Sequence, residues 1–418
     1  MFIIFGDDAF ANFGVIEIFL IRVISVGFFI SLIGVISAIY GSCLPGGLGT
    51  VLDSFFSAEK TEGRDKEETE RVDALKIQGS AKINPTSVST SDIEYLTNLL
   101  KQFGAENSSA YLCLGYTLAY FLIATYFMHK YPSWWSILLM GTFNVRAFII
   151  FHDACHMSFF NSASSNKMLA KVMAIFVPQN VSDWTSSHNF HHSHLGDSSF
   201  MDLSLTIWFN KKEYEEMPFF VKLGFRIIRD PILLPMILSS WVFMIFPFIK
   251  SPSDAFFNRL AFYVPCYCIL GSRTALLFLI ASWIGGMIGL QLFHLQHQCN
   301  SPYRVDHLKH SMWDAGMVGS THLLVPWPLT LMTLGIEYHH IHHASTRVPC
   351  YNLAKCHDEG EKVFGLGWKL VGVNRVGITR AFFSSFHCLF EDTKVDQDGK
   401  LPVRFVSFEP YQFLGLHD

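Results

Sequence analysis

The sequence predicts an all-α integral membrane protein, and three observations support this prediction. Half of the 418 residues are hydrophobic, only 16% are charged, and the mean hydropathy is +0.29. Several apolar runs reach the roughly 18 residues that a helix needs to cross a bilayer. Of the 19 histidines, 12 lie in or beside three short clusters that follow such runs. We therefore expect a four-helix transmembrane core in two hairpins, a histidine-rich cytosolic cap and an extra N-terminal transmembrane helix.

Charge and cysteine content exclude two other classes of protein. The net charge of -4 and the pI near 6.5 argue against a nucleic-acid partner, because phosphate binding calls for concentrated Lys and Arg. The nine cysteines are scattered along the chain. Neither a disulfide framework nor a zinc knuckle is indicated.

The N-terminal sequence predicts a membrane anchor followed by a linker. Residues 14 to 41 are long enough to span, with Glu17 and Arg22 as the only charges. A cleaved signal peptide would have a basic start and a shorter apolar core, so we expect a retained helix. Residues 57 to 95 are dense in mixed charge and then rich in Ser and Thr, which is typical of a solvated linker.

The apolar runs of the core predict two hairpins. Residues 111 to 128 and 133 to 151 are joined by a short break and should pack antiparallel. Residues 232 to 249 then cross away and 274 to 293 cross back. Residues 256 to 270 either pack at the far side or form a short re-entrant piece. Residues 168 to 177 are short and flanked by lysines, which suits a helix lying along the interface.

Counting these crossings places all three histidine clusters at one membrane surface. Basic residues are more numerous on that face, so the positive-inside tendency makes it cytoplasmic or equivalent. Arg146 near the end of its span either points toward the site or snorkels to head groups. The basic residues of the histidine face are Lys167, Lys171, Lys211, Lys212, Lys222, Arg226 and Arg229, against Lys130, Lys250, Arg259 and Arg273 opposite.

The spacing within the clusters is that of metal ligands. The first cluster is His152-x-x-x-His156, which on a helix puts both rings on one face. The second and third each offer histidines at i, i+3 and i+4, from His188 to His192 and from His339 to His343. Imidazole suits iron, copper, zinc and nickel. His297, at the end of a returning span, is a natural ninth ligand, and His294 could serve instead.

The same boxes argue against two familiar metal sites. A zinc protease would need His-Glu-x-x-His, and a di-iron carboxylate bundle would use Glu-x-x-His pairs. Neither pattern is present in the boxes. Eight histidines are too many for one four-coordinate zinc. Two metals held almost wholly by neutral nitrogen fit better.

In this order, the boxes resemble those of the membrane fatty acid desaturases, and more narrowly the acyl-lipid omega-6 (delta-12) type. The resemblance covers roughly residues 110 to 360 and rests on the segments 151–160, 184–194, 296–298 and 337–349. It implies a di-iron site whose ligands are His152, His156, His188, His191, His192, His297, His339, His342 and His343. It also implies an oxygen-dependent desaturase that converts oleoyl to linoleoyl chains, with dioxygen as co-substrate.

The resemblance also implies partners and a domain plan. The substrate would be an acyl lipid among membrane lipids, and the electron donor a separate cytochrome b5 or ferredoxin. We divide the chain into a membrane anchor (1–56), a charged linker (57–105), the desaturase domain (106–360) and a C-terminal cytosolic tail (361–418). For a eukaryotic chain the endoplasmic reticulum membrane is expected, with a plastid or bacterial inner membrane as alternatives.

Some residues near the boxes depart from the family pattern or are candidates to support the ligands. Cys155 replaces a usual Gly, and Cys299-Asn300 follows Gln-His-Gln where an acidic residue is common. His194 and His340 adjoin ligands but lie off the pattern. The polar side chains that could orient imidazole N–H groups are Asp153, Asp183, Asp197, Asp202 and, by similarity, Asn189.

Rival functions remain open from the sequence. A hydroxylase, epoxygenase, acetylene-forming enzyme or omega-3 desaturase would carry the same boxes. A membrane zinc hydrolase would hold zinc and need a carboxylate base. A non-enzymatic metal-binding or haem-binding membrane protein would need no substrate tunnel. Two irons per chain favour the desaturase class, whereas one zinc would exclude it.

Overall fold

The computed structural model describes residues 90–177, 179–197, 211–297, 310–365, 368, 373–385, 387–392 and 403–407. The predicted N-terminal helix at 14 to 41 and the linker up to residue 89 lie outside the described residues. In chain order the described helices up to His297 are α1 Thr90–Gln102, α2 Asn107–Lys130, α3 Trp134–Cys155, α4 Ala163–Phe176, α5 Val181–His194, α6 Lys211–Glu216, α7 Phe219–Arg229, α8 Leu233–Lys250 and α9 Pro252–Leu295.

The rest of the described chain consists of elements shorter than the spanning helices. They are α10 Met312–Met317, β1 Thr321–Leu324, α11 Thr330–Thr333, α12 His339–Ala344, α13 Cys350–Phe364, β2 Asn374–Gly377, α14 Ile378–Ser384, β3 His387–Asp392 and β4 Val403–Ser407. We use the term histidine side for the side of the protein where the three boxes lie. Strand β1 pairs in parallel with β2, and β3 pairs antiparallel with β4. The strands are short, so the protein is all-α in class.

Helices α2, α3, α8 and α9 are long and apolar enough to cross a membrane. The first hairpin is formed by α2 and α3, as predicted from their apolar runs. Pro132 cannot continue α2, and Ser133 begins α3 through a capping box with Ser136, which satisfies N–H groups of the first turn. Helix α2 exposes apolar side chains such as Leu112 and Leu118, which suits contact with lipid.

Helix α9 is itself a hairpin. Gly271 has φ 82° and ψ 170°, which no helical residue adopts and which glycine tolerates without a Cβ penalty. The rings of Phe262 and Phe278 lie 5.1 Å apart, whereas a straight α-helix would separate these residues by about 24 Å. The arms 252–270 and 272–295 therefore pack side by side. Residues 256 to 270 form a full arm and not a far-side or re-entrant piece.

The end of α8 lies beside the start of α5, because Ser251 Oγ donates a hydrogen bond to Asp183 Oδ2 at 2.5 Å. Asp183 is only five residues before His188. The chain thus begins the first arm of α9 near the histidine side, leaves along that arm and returns along the second. The outward crossing that the sequence assigned to residues 232 to 249 is made by residues 252 to 270. The two hairpins of the core are thus α2 with α3 and the two arms of α9, whereas α8, although long and apolar enough to cross, ends near the histidine side.

Small residues let the two hairpins approach closely. A Cβ on Gly285 would lie 2.7 Å from the carbonyl oxygen of Gly141 and 2.7 Å from Cβ of Asn144, so α3 and α9 meet where glycine faces backbone. At the far end, Arg273 Nη2 donates to the carbonyl of His129 at 3.0 Å. This contact joins the turn of the second hairpin to the end of α2. The first contact fixes α9 against α3 and the second fixes it against α2, and together they set the position of the histidines that α3 and α9 present.

Candidate metal centre

The structure brings all nine predicted histidines together in two groups at the histidine side. The nitrogen atoms of each group lie within 4.8 Å of one another. We call them the five-histidine group and the four-histidine group. The first contains His152, His156, His188, His192 and His342, and the second contains His191, His297, His339 and His343.

The rings of the five-histidine group point their nitrogens at one centre. His192 Nε2 lies 3.1 Å from His188 Nε2 and 3.0 Å from His342 Nε2. The His152 ring lies 4.3 Å from that of His342, centroid to centroid. His156 Nε2 is buried and has no hydrogen-bond partner among the described residues.

The four-histidine group is arranged in the same way. His339 Nε2 lies 3.0 Å from His297 Nε2 and 3.1 Å from His343 Nε2. The ring of His191 lies 4.9 Å from that of His297. The two groups adjoin, because the rings of His192 and His343 are 4.3 Å apart.

Four elements deliver these rings. Helix α3 ends at the first box, and the second arm of α9 ends just before His297. Helix α5 supplies the second box and begins at Asn180, whose side chain accepts from the N–H of Asp183 at 3.0 Å. The six-residue helix α12 supplies the third box and divides its rings, since His342 joins one group while His339 and His343 join the other.

The neutral state of the imidazole rings and the convergence of their nitrogen atoms both favour the binding of a cation. Burial, reinforced by the neighbouring imidazoles, lowers the pKa of His188, His192 and His342 well below the ordinary value, so these rings are neutral at pH 7. A neutral ring carries one proton on two nitrogens, so three Nε2 atoms facing one another cannot all be satisfied by hydrogen bonds. A shared metal ion would accept every lone pair. The donor set therefore fits a metal site.

Two partners turn specific rings toward the centre. Nδ1 of His152 lies 2.9 Å from Oδ1 of Asp153, and a carboxylate can only accept, so Nδ1 carries the proton. Nδ1 of His297 donates to the carbonyl of Gly319 at 3.0 Å. In both rings Nε2 is left with its lone pair facing the group. The expectation that Asp153 orients an imidazole is thus met for His152.

Asp183, Asn189 and His194 have other surroundings. Asp183 bonds Ser251, Asn189 is exposed, and His194 stacks on Phe190 with centroids 4.1 Å apart. Asp197 is buried near the end of α5. Asp202 and the Cys299-Asn300 pair lie outside the described residues.

The positions of His294, Arg146 and Cys155 decide three further expectations. His294 is buried but belongs to neither group, so His297 is the histidine that α9 brings to the centre. Arg146 does not snorkel and does not reach the histidines. Its Nε donates to Thr117 Oγ1 at 2.8 Å and its Nη1 to the carbonyl of Leu331 at 2.5 Å, which ties α11 to the first hairpin. Cys155 is buried and leaves α3 regular through the first box.

Sequence reasoning missed a second histidine cluster behind α12. His322, His340 and His357 are buried beside one another, with Glu361 and Trp368 at their edge. His322 and His357 are isolated in the sequence, so their spacing contained no signal. Only His340 gives a signal in the sequence, because it is adjacent to a predicted ligand.

The fold and the site together define a helical membrane protein with a metal centre built from imidazoles. A family model described as "Fatty acid desaturase" matches residues 129–369. This chain belongs to the fatty acid desaturase family. It is therefore an oxidoreductase that acts on acyl lipids.

Curated relatives agree with this family. The chain is 31% identical over 239 residues to a "Fatty acid desaturase" of Bacillus subtilis, covering 54% of this chain and 67% of the relative. It is 24% identical over 257 residues to an "sn-1 oleoyl-lipid 12-desaturase" of Picosynechococcus sp., covering 56% and 72%. It is 25% identical over 271 residues to an "Omega-6 fatty acid desaturase, chloroplastic" of Arabidopsis thaliana, covering 60% and 57%.

Proposed function

We propose that this protein introduces a cis double bond at the delta-12 (omega-6) position of a membrane acyl chain, converting oleoyl to linoleoyl. Two similar proteins are described as an oleoyl-lipid 12-desaturase and an omega-6 desaturase, which supports this position for the new bond. The observation on which the proposal chiefly rests is the pair of histidine groups at the end of two apolar hairpins.

We propose the nine grouped histidines as ligands of two iron ions. A ligand set of neutral nitrogens that adjoins a second such set suits a pair of redox metals better than one four-coordinate zinc. With dioxygen, bound iron supplies the strong oxidant that breaking an unactivated C–H bond requires, which no side chain provides. The balanced reaction takes one –CH2–CH2– unit, one dioxygen, two electrons and two protons to one –CH=CH– unit and two waters.

The residues of the chain have the tasks of placing the substrate and excluding water. Trp184 stacks on His188 at 4.3 Å, and Phe293 packs against His191 at 5.0 Å, so aromatic walls adjoin both groups. An acyl chain held along such walls would meet the centre at one carbon pair. The electrons would come from a separate cytochrome b5 or ferredoxin at the histidine side. The host membrane would be the endoplasmic reticulum, a plastid membrane or a bacterial inner membrane.

Expression in a host that makes oleate but no linoleate, with a competent electron donor, tests this function. Gas chromatography of the fatty acids should show a new 9,12-diene. The matched control is His342→Ala, which removes one proposed ligand and should abolish the new peak. A new bond at the omega-3 position, or a hydroxylated or epoxidised chain, would replace the proposed activity with a related one. Unchanged lipids would reject it.

Metal analysis of the purified protein tests the centre independently. Two irons per chain are expected. One zinc per chain would instead favour a membrane zinc hydrolase. The two experiments separate the question of the metal from the question of the product.

A further inference from the structure

The second histidine cluster lies directly behind α12 and shares no ring with the two metal groups. His340 is fully buried and His322 and His357 nearly so, at 0%, 4% and 3% exposure. The ring of His322 lies 4.5 Å from that of His357, and the rings of His340 and His357 are 5.1 Å apart. Three buried imidazoles at this position call for an explanation, because none is needed to fill the metal groups.

A directed line of hydrogen bonds runs from the protein surface to the third box. His357 Nε2 lies 3.1 Å from Oε1 of Glu361, whose side chain is 28% exposed. Since the carboxylate only accepts, Nε2 of His357 carries the proton and Nδ1 is the acceptor. Nε2 of His340 lies 3.2 Å from that Nδ1 and donates to it. Each ring is thereby held in one tautomer and one orientation.

Trp368 packs against two of the rings in this line of hydrogen bonds. Its ring lies parallel to His357, with an interplanar angle of 5° and centroids 5.7 Å apart, and edge-on to His340 at 5.0 Å. Its Nε1 donates to the carbonyl of His357 at 2.9 Å. The indole fits because residue 360 is glycine: a Cβ there would be 2.2 Å from Cζ2 of Trp368.

Helix α12 needs such support because it cannot set its own rotation. It has six residues, His339–Ala344, and no side-chain N-cap. A helix this short is unstable without tertiary contacts. Its metal-facing residues are at i, i+3 and i+4, and His340 projects from a different face. A rotation of α12 would displace all of its metal-facing rings at the same time.

We propose that His340 and His357 are positioning residues that fix the rotation of α12 and thereby complete the four-histidine group. That group takes two of its four rings from α12, His339 and His343, whereas the five-histidine group takes only His342. Loosening α12 thus removes half of one ligand set and a fifth of the other. The four-histidine group should empty first. This inference rests on the two-metal part of the proposed function.

The test is the iron content of purified full-length protein after loading with iron(II), measured by mass spectrometry and by Mössbauer spectroscopy. Wild type should hold two irons per chain, and His340→Ala about one, with one spectral component lost. His340→Gln supplies an N–H donor near the position of Nε2 and should restore the second iron. Gly360→Ala displaces Trp368 without touching a histidine and should lower occupancy in the same direction.

Further measurements distinguish failure of this inference from misfolding of a variant and from failure of the proposed function. Size-exclusion profiles of the variants should match wild type. If His340→Ala fails to fold, His340→Gln and Gly360→Ala still test the inference. Two irons in both His340→Ala and Gly360→Ala would overturn it, as would fewer than two irons in wild type or equal loss in His340→Ala and His340→Gln. Two irons in wild type without a 9,12-diene would reject the proposed function and leave this inference standing.

Discussion

The Nε2 atoms of His192 and His342 lie 3.0 Å apart, although 150 residues separate these two histidines along the chain. This contact joins α5 to α12, which lie on either side of the α9 hairpin in the sequence. The centre can form only after that hairpin has folded back on itself. Metal binding is therefore coupled to the fold of the whole membrane core.

His342→Ala should abolish desaturation and lower the iron bound to the five-histidine group. The reason is that His342 supplies one of the converging nitrogens and no other described side chain can replace it there. Activity in cells and iron content of purified protein measure the two effects. His194→Ala is the control, because His194 adjoins the second box but stacks on Phe190 and belongs to neither histidine group. Equal loss in both variants would contradict the assignment.

Asp153→Asn should weaken iron binding about 10- to 100-fold, the usual effect of changing a partner that orients a metal-bound histidine. Asp153 accepts from His152 through Oδ1 and from the N–H of Cys350 through Oδ2 at 2.6 Å. An amide has one acceptor oxygen and one donor nitrogen. If the nitrogen faces Cys350, two N–H donors point at each other. If it faces His152, the His152 ring must adopt the other tautomer. Competition with a chelator measures the affinity. Asp183→Asn, which affects a bond to Ser251, should bind iron as wild type does.

Gly285→Ala should lower the free energy of unfolding by about 1–3 kcal/mol, the usual range for overpacking a core. The added methyl would lie 2.7 Å from the backbone oxygen of Gly141, so α3 and α9 would have to separate. Gly289→Ala in the same arm is the control, since its Cβ would meet nothing within 4 Å. Thermal unfolding in detergent compares them. The prediction fails if the two midpoints shift alike.

His322 should make the protein sensitive to acid. Burial, followed by repulsion from His357 and Arg375, lowers the pKa of His322 to about 3, against about 6.5 in an unfolded chain. Between these two values the unfolded state binds a proton that the native state does not. The free energy of unfolding therefore falls as the pH decreases from about 6.5 toward about 3, by at most about 1.4 kcal/mol per pH unit for this group.

His322→Asn should make that dependence shallower. Unfolding midpoints of metal-free wild type and variant, measured across this pH range, provide the comparison. The variant should lose less stability on acidification than wild type. Parallel curves would show that His322 is not the group responsible.

Spans and ligand boxes could be predicted because both are local patterns. The apolar runs identify α2 and α3, and the spacing from His188 to His192 identifies a ligand face without knowledge of the fold. The turn at Gly271 could not be predicted in the same way. One glycine inside an apolar stretch gives no local sign that the chain reverses there, and only the contact between Phe262 and Phe278 shows it.

The second histidine cluster, behind α12, could not be predicted for a related reason. His322 and His357 meet His340 through tertiary packing, and no repeat or spacing connects them. The carboxylates near the boxes show the same limit, because Asp153 lies within a box and Asp183 five residues before one, and neither spacing indicates a bonding partner. Only the fold directs one to an imidazole and the other to Ser251.

The brevity of the two hairpin turns has a topological consequence. Within the described chain, the far side carries only the few residues around Pro132 and the single residue Gly271, too little to build a docking surface. Among the described residues, the surface that a water-soluble molecule could contact near the histidines therefore lies on the histidine side. Under the proposed function, the orientation in which the protein inserts into its bilayer would decide which pool of electron carriers can reach the histidine side.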